Sequence, residues 1–324
     1  MRVEDNHPRT EEEYRGNKFV WRNKIRDIAE INFSHITRVH PCFNKTIQLH
    51  KIGRVHLPIS PECNIQCNFC VLSFNKTEFR PGVACSILSP REALFILRKA
   101  IEICPEIAVV GVAGPGDPLA TNHALETFTL VDQHYPHLIK CFSTNGLKLE
   151  EEAKKFADLN VKSVTVSVHA VNPRIAAKIY SHVRVNGKLL HGVEASNHLI
   201  QAQLSGIEEA VKNGLAVKVN TVLIPSINQN HIEATAKAVQ EAGASIINII
   251  PLIPQHKLSH IPPPTCERLK QTREQVERIM PVFRHCQRCR ADAMGILGGK
   301  DFSKVLYEEL RLPLPNSTGN FSHG

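Results

Sequence analysis

The chain has 324 residues, of which 42% are hydrophobic, so it is long enough for one large domain or two smaller ones with a sizeable core. No apolar run reaches the roughly 18 residues of a membrane span, and the charged N-terminus lacks the features of a signal peptide. Ten cysteines in a chain expected to be cytoplasmic favour metal binding or catalysis over disulfides. The formal charge of +8 suits an ordinary basic protein or one with an anionic partner. Because no dense basic run occurs, we expect neither a membrane nor a nucleic-acid partner.

Apolar strands and amphipathic helices are predicted to alternate through the middle of the chain. One helix is expected near residues 14–31. Strands are predicted at residues 53–59, 107–112, 138–142, 161–168, 216–224 and 245–252. Helices are predicted at residues 90–104, 122–135, 150–159, 197–213, 229–242 and 265–282, and Gly214 and Gly243 stand where helices should end. Six such units predict an α/β fold whose parallel sheet curls into an open or closed barrel, with its chemistry at the carboxyl ends of the strands.

The strongest chemical signal is a cysteine triplet directly after the first predicted strand. Cys63, Cys67 and Cys70 have the spacing C-x3-C-x2-C on a loop. Three thiolates this close can converge on a cubane of four irons, and they leave the fourth iron open to an amine and a carboxylate, as in methionine. The alternatives are unconnected buried cysteines or a structural zinc site, which usually has four ligands in C-x2-C pairs.

A Gly/Pro-rich turn over residues 114–118 follows the second predicted strand. Gly114 and Gly116 allow the backbone to approach a ligand closely, and the Asp117 carboxylate can accept from a ligand's ammonium group. The alternative is an ordinary turn that binds nothing.

Polar side chains also lie at or near the carboxyl ends of later strands. Ser143 and Asn145 follow the third predicted strand, and Asn220 lies in the fifth. These groups suit the ribose and the carboxylate of the same ligand. The alternative is that they satisfy backbone groups of their own loops.

Several cysteines outside the triplet are candidate ligands for further iron–sulfur clusters. Cys286 and Cys289 form a C-x2-C pair after a predicted helix, Cys42 lies near His40, and Cys141 lies at the end of a strand. Each of them alone can also be a buried structural cysteine.

The chain resembles the NifB family within the radical S-adenosylmethionine superfamily, through a series of blocks that occur in order. The blocks are HPCF (40–43), GRVHLP (53–58), CNIQCNFC (63–70), RPGV (80–83), VAGPGDPLA (112–120), STNGL (143–147), VKVN (217–220), LIP (223–225) and RHCQRCRADA (284–293). The resemblance implies a partial (β/α)6 TIM-like barrel of the radical SAM type over residues 41–292. An N-terminal arm (1–40) and a C-terminal extension (293–324) flank it, and the last part of the extension is expected to be disordered.

The resemblance also implies cofactors, substrates and partners. The triplet would hold a [4Fe–4S] cluster that binds S-adenosylmethionine, and the turn at 114–118 would bind the amine of that ligand. One or two auxiliary [4Fe–4S] clusters would be the substrates, fused around a carbide from the S-adenosylmethionine methyl group into an eight-iron core. A second S-adenosylmethionine would supply the 5′-deoxyadenosyl radical. The partners implied are an iron–sulfur cluster donor and a downstream cofactor carrier or scaffold.

The resemblance further implies roles for individual residues. The auxiliary-cluster ligands would be Cys42, His56, Cys141, Cys286 and Cys289. Glu78 would act as a base or transient ligand during fusion. The alternatives are a histidine that packs beside the cysteine loop and a solvated loop glutamate.

One expected cluster ligand is absent. The family has a cysteine shortly before the RPGV block, whereas residues 74–82 contain none. Lys76 is a poor substitute, because an ammonium group must lose its proton to bind iron. Cys85, just after the block, is the candidate replacement, whereas Cys104 and Cys266 lie on predicted helices.

Two other functions are compatible with these residues. A radical enzyme with auxiliary clusters can act on a peptide or a tRNA, and salt-sensitive RNA binding would favour the tRNA. A non-catalytic iron–sulfur scaffold needs clusters but not S-adenosylmethionine, and both the turn at 114–118 and the open-iron triplet argue against it.

Overall fold

A computed structural model describes residues 11–40, 43, 52–286, 289–296 and 301–309. The helices are α1 (Glu11–Val39), α2 (Pro90–Ile103), α3 (His123–His134), α4 (Leu149–Asp158), α5 (Pro173–Ala176), α6 (Gly192–Lys212), α7 (Ile232–Glu241), α8 (Cys266–Glu277) and α9 (Ser303–Glu309). The strands are β1 (Gly53–His56), β2 (Ile65–Cys67), β3 (Ser73–Phe74), β4 (Val83–Ala84), β5 (Ile107–Val112), β6 (Ile139–Thr144), β7 (Val161–Ser167), β8 (Tyr180–Val185), β9 (Lys188–Leu190), β10 (Ala216–Leu223), β11 (Ile246–Pro251) and β12 (Met294–Ile296).

The main sheet has seven strands in the order β11-β10-β7-β6-β5-β1-β12. The six strands from β1 to β11 in this sheet run parallel, and β12 adds to the free side of β1 in the antiparallel direction. Because each parallel strand lies beside the next one along the chain, with helices between them, the sheet curls in one direction. The predicted α/β fold with six β/α units is confirmed as a partial barrel.

Local sequence signals set the ends of several helices. At the start of α2, Ser89 and Glu92 form a capping box, in which each side chain accepts from the other residue's backbone N–H. Gly214 and Gly243 follow α6 and α7 with φ angles of +86° and +103°, so both end their helices in the left-handed region as predicted.

The two faces of the sheet differ in chemistry, as β6 shows. Phe142 points toward the helices and packs against Phe156 of α4 at a ring distance of 4.6 Å. Cys141 and Ser143 alternate with it and point to the concave side, where they line a cavity. Apolar side chains therefore build the core between sheet and helices, and the concave face carries polar groups and thiols.

A second, three-stranded sheet in the order β2-β8-β9 holds the cysteine loop and is absent from the sequence prediction. Its strand β2 lies inside the loop and pairs antiparallel with β8. Ile65 of β2 is buried with Tyr180 and Val183 of β8 in a separate apolar cluster. The loop is therefore anchored on both sides and does not project freely.

The predicted N-terminal arm packs against the barrel through α1. Ile25 and Ala29 are buried in the main core, and the Asn32 side chain donates to the Val211 carbonyl at 3.0 Å. At the other end, β12 belongs to the main sheet and α9 packs near α2. The boundaries at residues 40 and 292 stay predictions, and the C-terminal tail predicted to be disordered lies outside the described residues.

None of the described helices has both the length and the apolar character that crossing a membrane requires.

Candidate functional site

A cavity of about 400 Å³ lies on the concave side of the sheet, and two sets of side chains line it. The cysteine-loop group consists of Cys63, Cys67, Cys70, Gly116, Asp117, Ser143, Asn145 and Asn220. The second thiol group consists of Arg54, His56, Cys141, Lys218, Cys286 and Cys289. The structure therefore brings most of the predicted site residues, from distant parts of the chain, to one cavity.

The cysteine loop packs directly on the Gly/Pro-rich turn. The backbone N–H groups of Gly116 and Asp117 donate to the carbonyls of Ser60 and Glu62 at 2.8 and 2.7 Å. A Cβ atom at Gly116 would lie 2.0 Å from the Glu62 carbonyl oxygen. Any side chain at this position would push the two segments apart, so contact with the loop itself requires the glycine.

The three cysteines of the loop are half-buried, and the loss of water around their thiols is the main cause that raises the pKa of each. For Cys70 the pKa rises to about 11, and for Cys63 the nearby Asp117 carboxylate adds to the effect of burial. Three adjacent thiolates in this place need a compensating positive charge, and bound iron supplies one. The donor set therefore fits a four-iron cluster with one open iron.

Within the described part of the chain, no three His, Cys, Asp or Glu side chains converge on a single metal ion. A cubane places its thiolate ligands on separate iron atoms and does not need such convergence.

Two amides hold the loop: Asn145, which was predicted as a ligand-binding residue, and Gln66, which was not predicted as a site residue. Gln66 donates to the carbonyls of Cys67 and Cys70 at 2.8 and 3.3 Å, which fixes the backbone between two of the thiols. Asn145 donates to Asn64 Oδ1 at 2.6 Å, and its Nδ2 lies 3.8 Å from Cys63 Sγ. The amide of Asn145 is therefore placed to donate to a cluster-bound sulfur as well as to a ligand.

The carboxylate of Asp117 is engaged within the protein. It accepts from the Thr144 hydroxyl at 3.0 Å and from the backbone N–H groups of Leu119 and Asn145 at 2.9 and 2.5 Å. Burial raises its pKa, and these hydrogen bonds act in the opposite direction. Asp117 thus joins the turn to the end of β6, whereas its predicted contact with a ligand's ammonium stays a prediction.

Asn220 lines the cavity next to a second amide that sequence reasoning missed. Asn248 of β11 donates to Asn220 Oδ1 at 3.1 Å, so the NH2 group of Asn220 remains for another acceptor. Asn248 is buried and lines the same cavity. Its signal in the sequence is one asparagine within an otherwise apolar strand.

The second thiol group contains a buried arginine in contact with a cysteine. Arg54 donates from Nη2 to Cys289 Sγ at 3.0 Å. Its side chain is buried, and no carboxylate partner is present among the described residues. Arg54 therefore places a buried cation directly against one of the candidate cluster ligands.

His56 is oriented as a candidate ligand. Its Nδ1 lies 3.2 Å from the Arg290 carbonyl oxygen, which can only accept, so Nδ1 carries the proton and Nε2 keeps its lone pair. Burial, with a further contribution from Arg54, lowers the pKa of His56 to about 4. The ring is therefore neutral at ordinary pH.

Gly111 leaves room for His56 and Cys141 to approach each other. A Cβ atom at Gly111 would lie 3.0 Å from His56 Cδ2, 3.4 Å from His56 Nε2 and 3.2 Å from Cys141 Sγ. The imidazole nitrogen and the thiol therefore border the same small space above Gly111, and their roles as ligands of one cluster stay a prediction.

Lys218 adds a second cation to this group. Its Nζ lies 4.9 Å from the centre of the Phe283 ring and 5.7 Å from that of Phe43. Both distances are typical of cation–π contacts. Across the described residues, Lys218 makes no ion pair with a carboxylate.

Known proteins similar to this chain explain why a cysteine loop and a second group of thiols line one cavity. Residues 57–239 match the family model described as the Radical SAM superfamily. The FeMo cofactor biosynthesis protein NifB of Methanocaldococcus jannaschii is 48% identical over 279 residues, which are 86% of this chain and 92% of that protein. The chain belongs to the NifB family of radical SAM enzymes. Membership in the superfamily implies a [4Fe–4S] cluster and S-adenosylmethionine.

Other NifB relatives and solved structures agree with this placement. NifB of Methanocaldococcus infernus is 44% identical, with coverage of 86% and 92%. NifB of Klebsiella pneumoniae is 40% identical, and the match covers 86% of this chain but 60% of that longer protein. A radical SAM methyltransferase from Sphaerobacter thermophilus superposes with a TM-score of 0.53 at 17% identity, over 71% of this chain and 64% of that one. Methylornithine synthase superposes with a TM-score of 0.50 at 11% identity, over 80% and 70%. These two likenesses bear on the fold alone.

Three predicted site residues of this NifB-family chain, Glu78, Cys85 and Gly114, do not line the cavity, and a fourth, Cys42, lies outside the described residues. Cys85 follows β4 with its backbone N–H 2.5 Å from Asp292 Oδ2 and its Sγ 3.5 Å from Arg290 Nη2, and burial raises its pKa to about 12. Neither Cys85 nor Gly114 lines the cavity, so the replacement of the family's missing cysteine by Cys85 stays a prediction.

Glu78 also lies away from the cavity lining, on the segment where the NifB family carries its additional cysteine. Its carboxylate accepts from Asn75 Nδ2 at 2.7 Å and from Arg80 Nε at 2.6 Å, and its side chain is 43% exposed. Arg80 itself lines the cavity. The predicted role of Glu78 as a base or ligand therefore stays a prediction that requires this ion pair to open.

Proposed function

We propose that this chain builds an eight-iron cofactor core for nitrogenase by joining two [4Fe–4S] substrate clusters through a carbon atom from the methyl group of S-adenosylmethionine. The reaction combines methyl transfer with reductive cleavage of S-adenosylmethionine. The proposal extends to this chain what the names of its NifB relatives say of them. Cys63, Cys67 and Cys70 would hold the resident cluster, which when bound supplies the electron for that cleavage.

One observation carries the proposal. A single continuous cavity is lined both by the cysteine loop and by a second set of soft ligands that the loop does not need, namely Cys141, His56, Cys286 and Cys289. Thiolates and imidazole are suited to iron in clusters and not to a peptide or a sugar. The substrate that this second thiol group fits is therefore itself an iron–sulfur cluster.

Charge in the cavity supports the same substrate. Arg54 and Lys218 line the second thiol group without carboxylate partners among the described residues, whereas Asp117 of the cysteine-loop group is saturated by internal hydrogen bonds. Thiolate-ligated clusters are anions, and buried unpaired cations stabilise them more strongly than exposed ones. A neutral substrate would leave both cations uncompensated.

On the S-adenosylmethionine side, the strand ends provide the groups that bind and orient it. Ser143 and Asn220 line the cavity with a hydroxyl and an NH2 group, and the Nδ2 atom of Asn145 lies 3.8 Å from Cys63 Sγ. In this proposal they hold the ribose and carboxylate while Asp117 keeps Asn145 in place.

The proposed partners follow from the substrate and product. A cluster donor in the reducing cytoplasm must load the second thiol group, and a carrier or scaffold must accept the finished core. Neither needs a membrane.

The test uses anaerobically reconstituted protein, dithionite and S-adenosylmethionine labelled with carbon-14 in the methyl group. We expect about twelve irons per chain, for one resident and two substrate clusters. The label should enter a protein-bound cluster, and both 5′-deoxyadenosine and S-adenosylhomocysteine should form.

Two other outcomes would point to other functions. Formation of 5′-deoxyadenosine without label in any cluster would indicate a radical enzyme that acts on another substrate, such as a peptide or a tRNA. Clusters without any cleavage of S-adenosylmethionine would indicate a scaffold.

A further inference from the structure

Two segments that contact the cysteine loop carry cations and no acids. Residues 168–193 contain Arg174, Lys178, Arg184 and Lys188 but no Asp or Glu, and residues 252–264 contain Lys257 and again no Asp or Glu. Arg174, Lys178, Lys188 and Lys257 are exposed. We call these four exposed side chains the basic face.

Hydrogen bonds connect the basic face directly to the cysteine loop. Asn68, between Cys67 and Cys70, donates from its side chain to the Lys178 carbonyl at 2.9 Å. Its own carbonyl accepts from Leu258 N–H at 3.1 Å. Lys257 donates to Ser181 Oγ at 2.9 Å, and Ser181 Oγ donates in turn to Asn68 Oδ1.

Two strands extend this connection. The paired strands β2 and β8 place the cysteine loop and the segment from Lys178 to Lys188 in one small sheet. The basic face is therefore the outer side of the structure that holds the three cysteines.

The cations of the basic face are not neutralised by neighbours. Among the described residues, none of the four forms an ion pair with a carboxylate. Elsewhere on the described surface, pairing within a helix is common, as between Lys154 and Asp158 at 2.9 Å. A surface patch of positive charge attracts a negatively charged partner and accelerates the association of the two proteins.

We propose that the basic face docks an acidic one-electron carrier protein, with a flavin or an iron–sulfur centre, that reduces the cluster held by the cysteine loop. Each reductive cleavage of S-adenosylmethionine consumes one electron. The docked carrier loses that electron and passes from its reduced to its one-electron-oxidised form. The proposal rests on the cysteine loop and on the chain's membership in the radical SAM superfamily. It does not depend on the identity of the substrate.

The composition of the surface favours a protein over RNA. Leu189 and Val193, in the same segment as Lys178 and Lys188, are 45% and 51% exposed and add apolar surface. Transient redox complexes bury small areas of this mixed kind. Single-stranded RNA is usually bound by stacking on exposed aromatic rings, and Tyr180, the one Phe, Trp or Tyr residue in 168–193, is buried.

The test compares two reductants on the reconstituted full chain. The charge-reversal variant K178E/K188E is compared with K237E/K270E, which makes the same change in net charge on the outer helices α7 and α8. The rate of 5′-deoxyadenosine formation is measured with reduced flavodoxin, an acidic flavin protein, and separately with dithionite. Binding of oxidised flavodoxin is measured by titration at low and at high salt.

We expect K178E/K188E to lower kcat/KM for flavodoxin by about tenfold or more at low salt, with a matching loss of binding, because like charges then face each other. Its dithionite-driven rate and the behaviour of K237E/K270E should stay at the wild-type level. The neutralising variant R174Q/K257Q should show a smaller loss of the same kind, and it serves as the test if the reversal variant does not fold.

Several results would overturn the proposal. Equal losses in both reversal variants would mean that only net charge matters. Unchanged flavodoxin kinetics and binding would place the docking site elsewhere. If the variant lost RNA binding but kept flavodoxin binding, the basic face would be a nucleic-acid surface. Loss of the dithionite-driven activity in K178E/K188E as well would mean that the substitutions damage the cysteine loop and not a docking site. If the wild-type chain puts no methyl label into a cluster, the cofactor-assembly proposal fails, but flavodoxin should still bind to the basic face.

Discussion

Arg54 donates to Cys289 Sγ at 3.0 Å, a contact between residues 235 positions apart in the chain. Arg54 Nε has no hydrogen-bond partner among the described atoms, and Arg54 is 8% exposed. A buried guanidinium is costly unless an anion compensates it. An anionic cluster bound at Cys289 would supply the compensating charge for Arg54.

Replacing Arg54 by Gln should weaken the substrate cluster and spare the resident one. We expect R54Q to lose about four irons per chain relative to the wild type, because one cluster loses its compensating cation. Dithionite-driven formation of 5′-deoxyadenosine should remain, since the cysteine loop is unchanged. Iron analysis and product chromatography measure the two effects. The control is R98Q on the exposed side of α2, and an identical iron content in R54Q and R98Q would argue against the role of Arg54.

Asp117 should affect the site mainly through the hydrogen bonds that hold the Gly/Pro-rich turn against β6, and less through its negative charge. In D117N an NH2 group replaces one of the oxygens that accept from Thr144, Leu119 N–H and Asn145 N–H. Leaving such buried donors unpaired costs roughly 1–3 kcal/mol, so we expect a loss of stability of that size together with weaker binding of S-adenosylmethionine. Urea unfolding and equilibrium dialysis measure these. Wild-type affinity in D117N would show that the turn does not depend on the carboxylate.

Histidine burial predicts a pH dependence of stability. Burial lowers the pKa of His169 from 6.5 to about 4, and its Nδ1 accepts from Val222 N–H at 3.2 Å, so the folded ring is neutral. Between these two pH values the unfolded chain binds a proton that the folded chain does not. The free energy of unfolding therefore falls as the pH drops from 6.5 toward 4, by up to about 1.4 kcal/mol per pH unit for this residue.

The variant H169Q isolates that contribution. His40 and His56 have lowered pKa values in both proteins and act in the same direction, so they do not affect the difference. Urea unfolding at several pH values between 7 and 4.5 should give a shallower slope for H169Q. Parallel slopes would mean that His169 takes up its proton without unfolding.

The ion pair between buried Lys140 of β6 and half-buried Asp132 of α3 should respond to removal of Asp132 alone more than to removal of both charges. Lys140 is fully buried, and its Nζ lies 2.6 Å from Asp132 Oδ1 on α3. D132N should destabilise the protein by roughly 3 kcal/mol, because a buried ammonium group is left without its anion. K140M/D132N should recover most of that loss, since an apolar chain fills the same space. Similar stabilities of D132N and the exposed control D158N would contradict this.

The regular parts of the fold can be predicted from the sequence because their signals are local. Long apolar strands and capped helices recur in β/α order, and Gly214 and Gly243 mark helix ends. The sheet β2-β8-β9 has no such signal, since β2 and β9 have three residues each and depend on tertiary pairing. The helix ends were predicted less well than the helices: α6 begins at Gly192 and not at residue 197, and α8 ends at Glu277 and not at residue 282.

In the candidate site, too, residues with a local sequence signal can be predicted, whereas contacts between distant segments cannot. The triplet can be recognised because its spacing is local, and Cys286 and Cys289 can be recognised because they form a C-x2-C pair. The contact of Arg54 with Cys289 cannot be predicted, since no pattern links residues so far apart. Cys85 illustrates the reverse case. Its position in the sequence makes it a candidate ligand, but its hydrogen bond to Asp292 lies outside the cavity lining.

The most direct test of the central claim compares the double variants C286A/C289A and C104A/C266A. Both remove two cysteines, but Cys286 and Cys289 line the cavity, whereas Cys104 and Cys266 do not. After reconstitution and incubation with methyl-labelled S-adenosylmethionine, C286A/C289A should keep the resident cluster, lose about four or more irons per chain and incorporate no label into a cluster. C104A/C266A should match the wild type. Full labelling in C286A/C289A would contradict the assignment of the second thiol group as the substrate-cluster site.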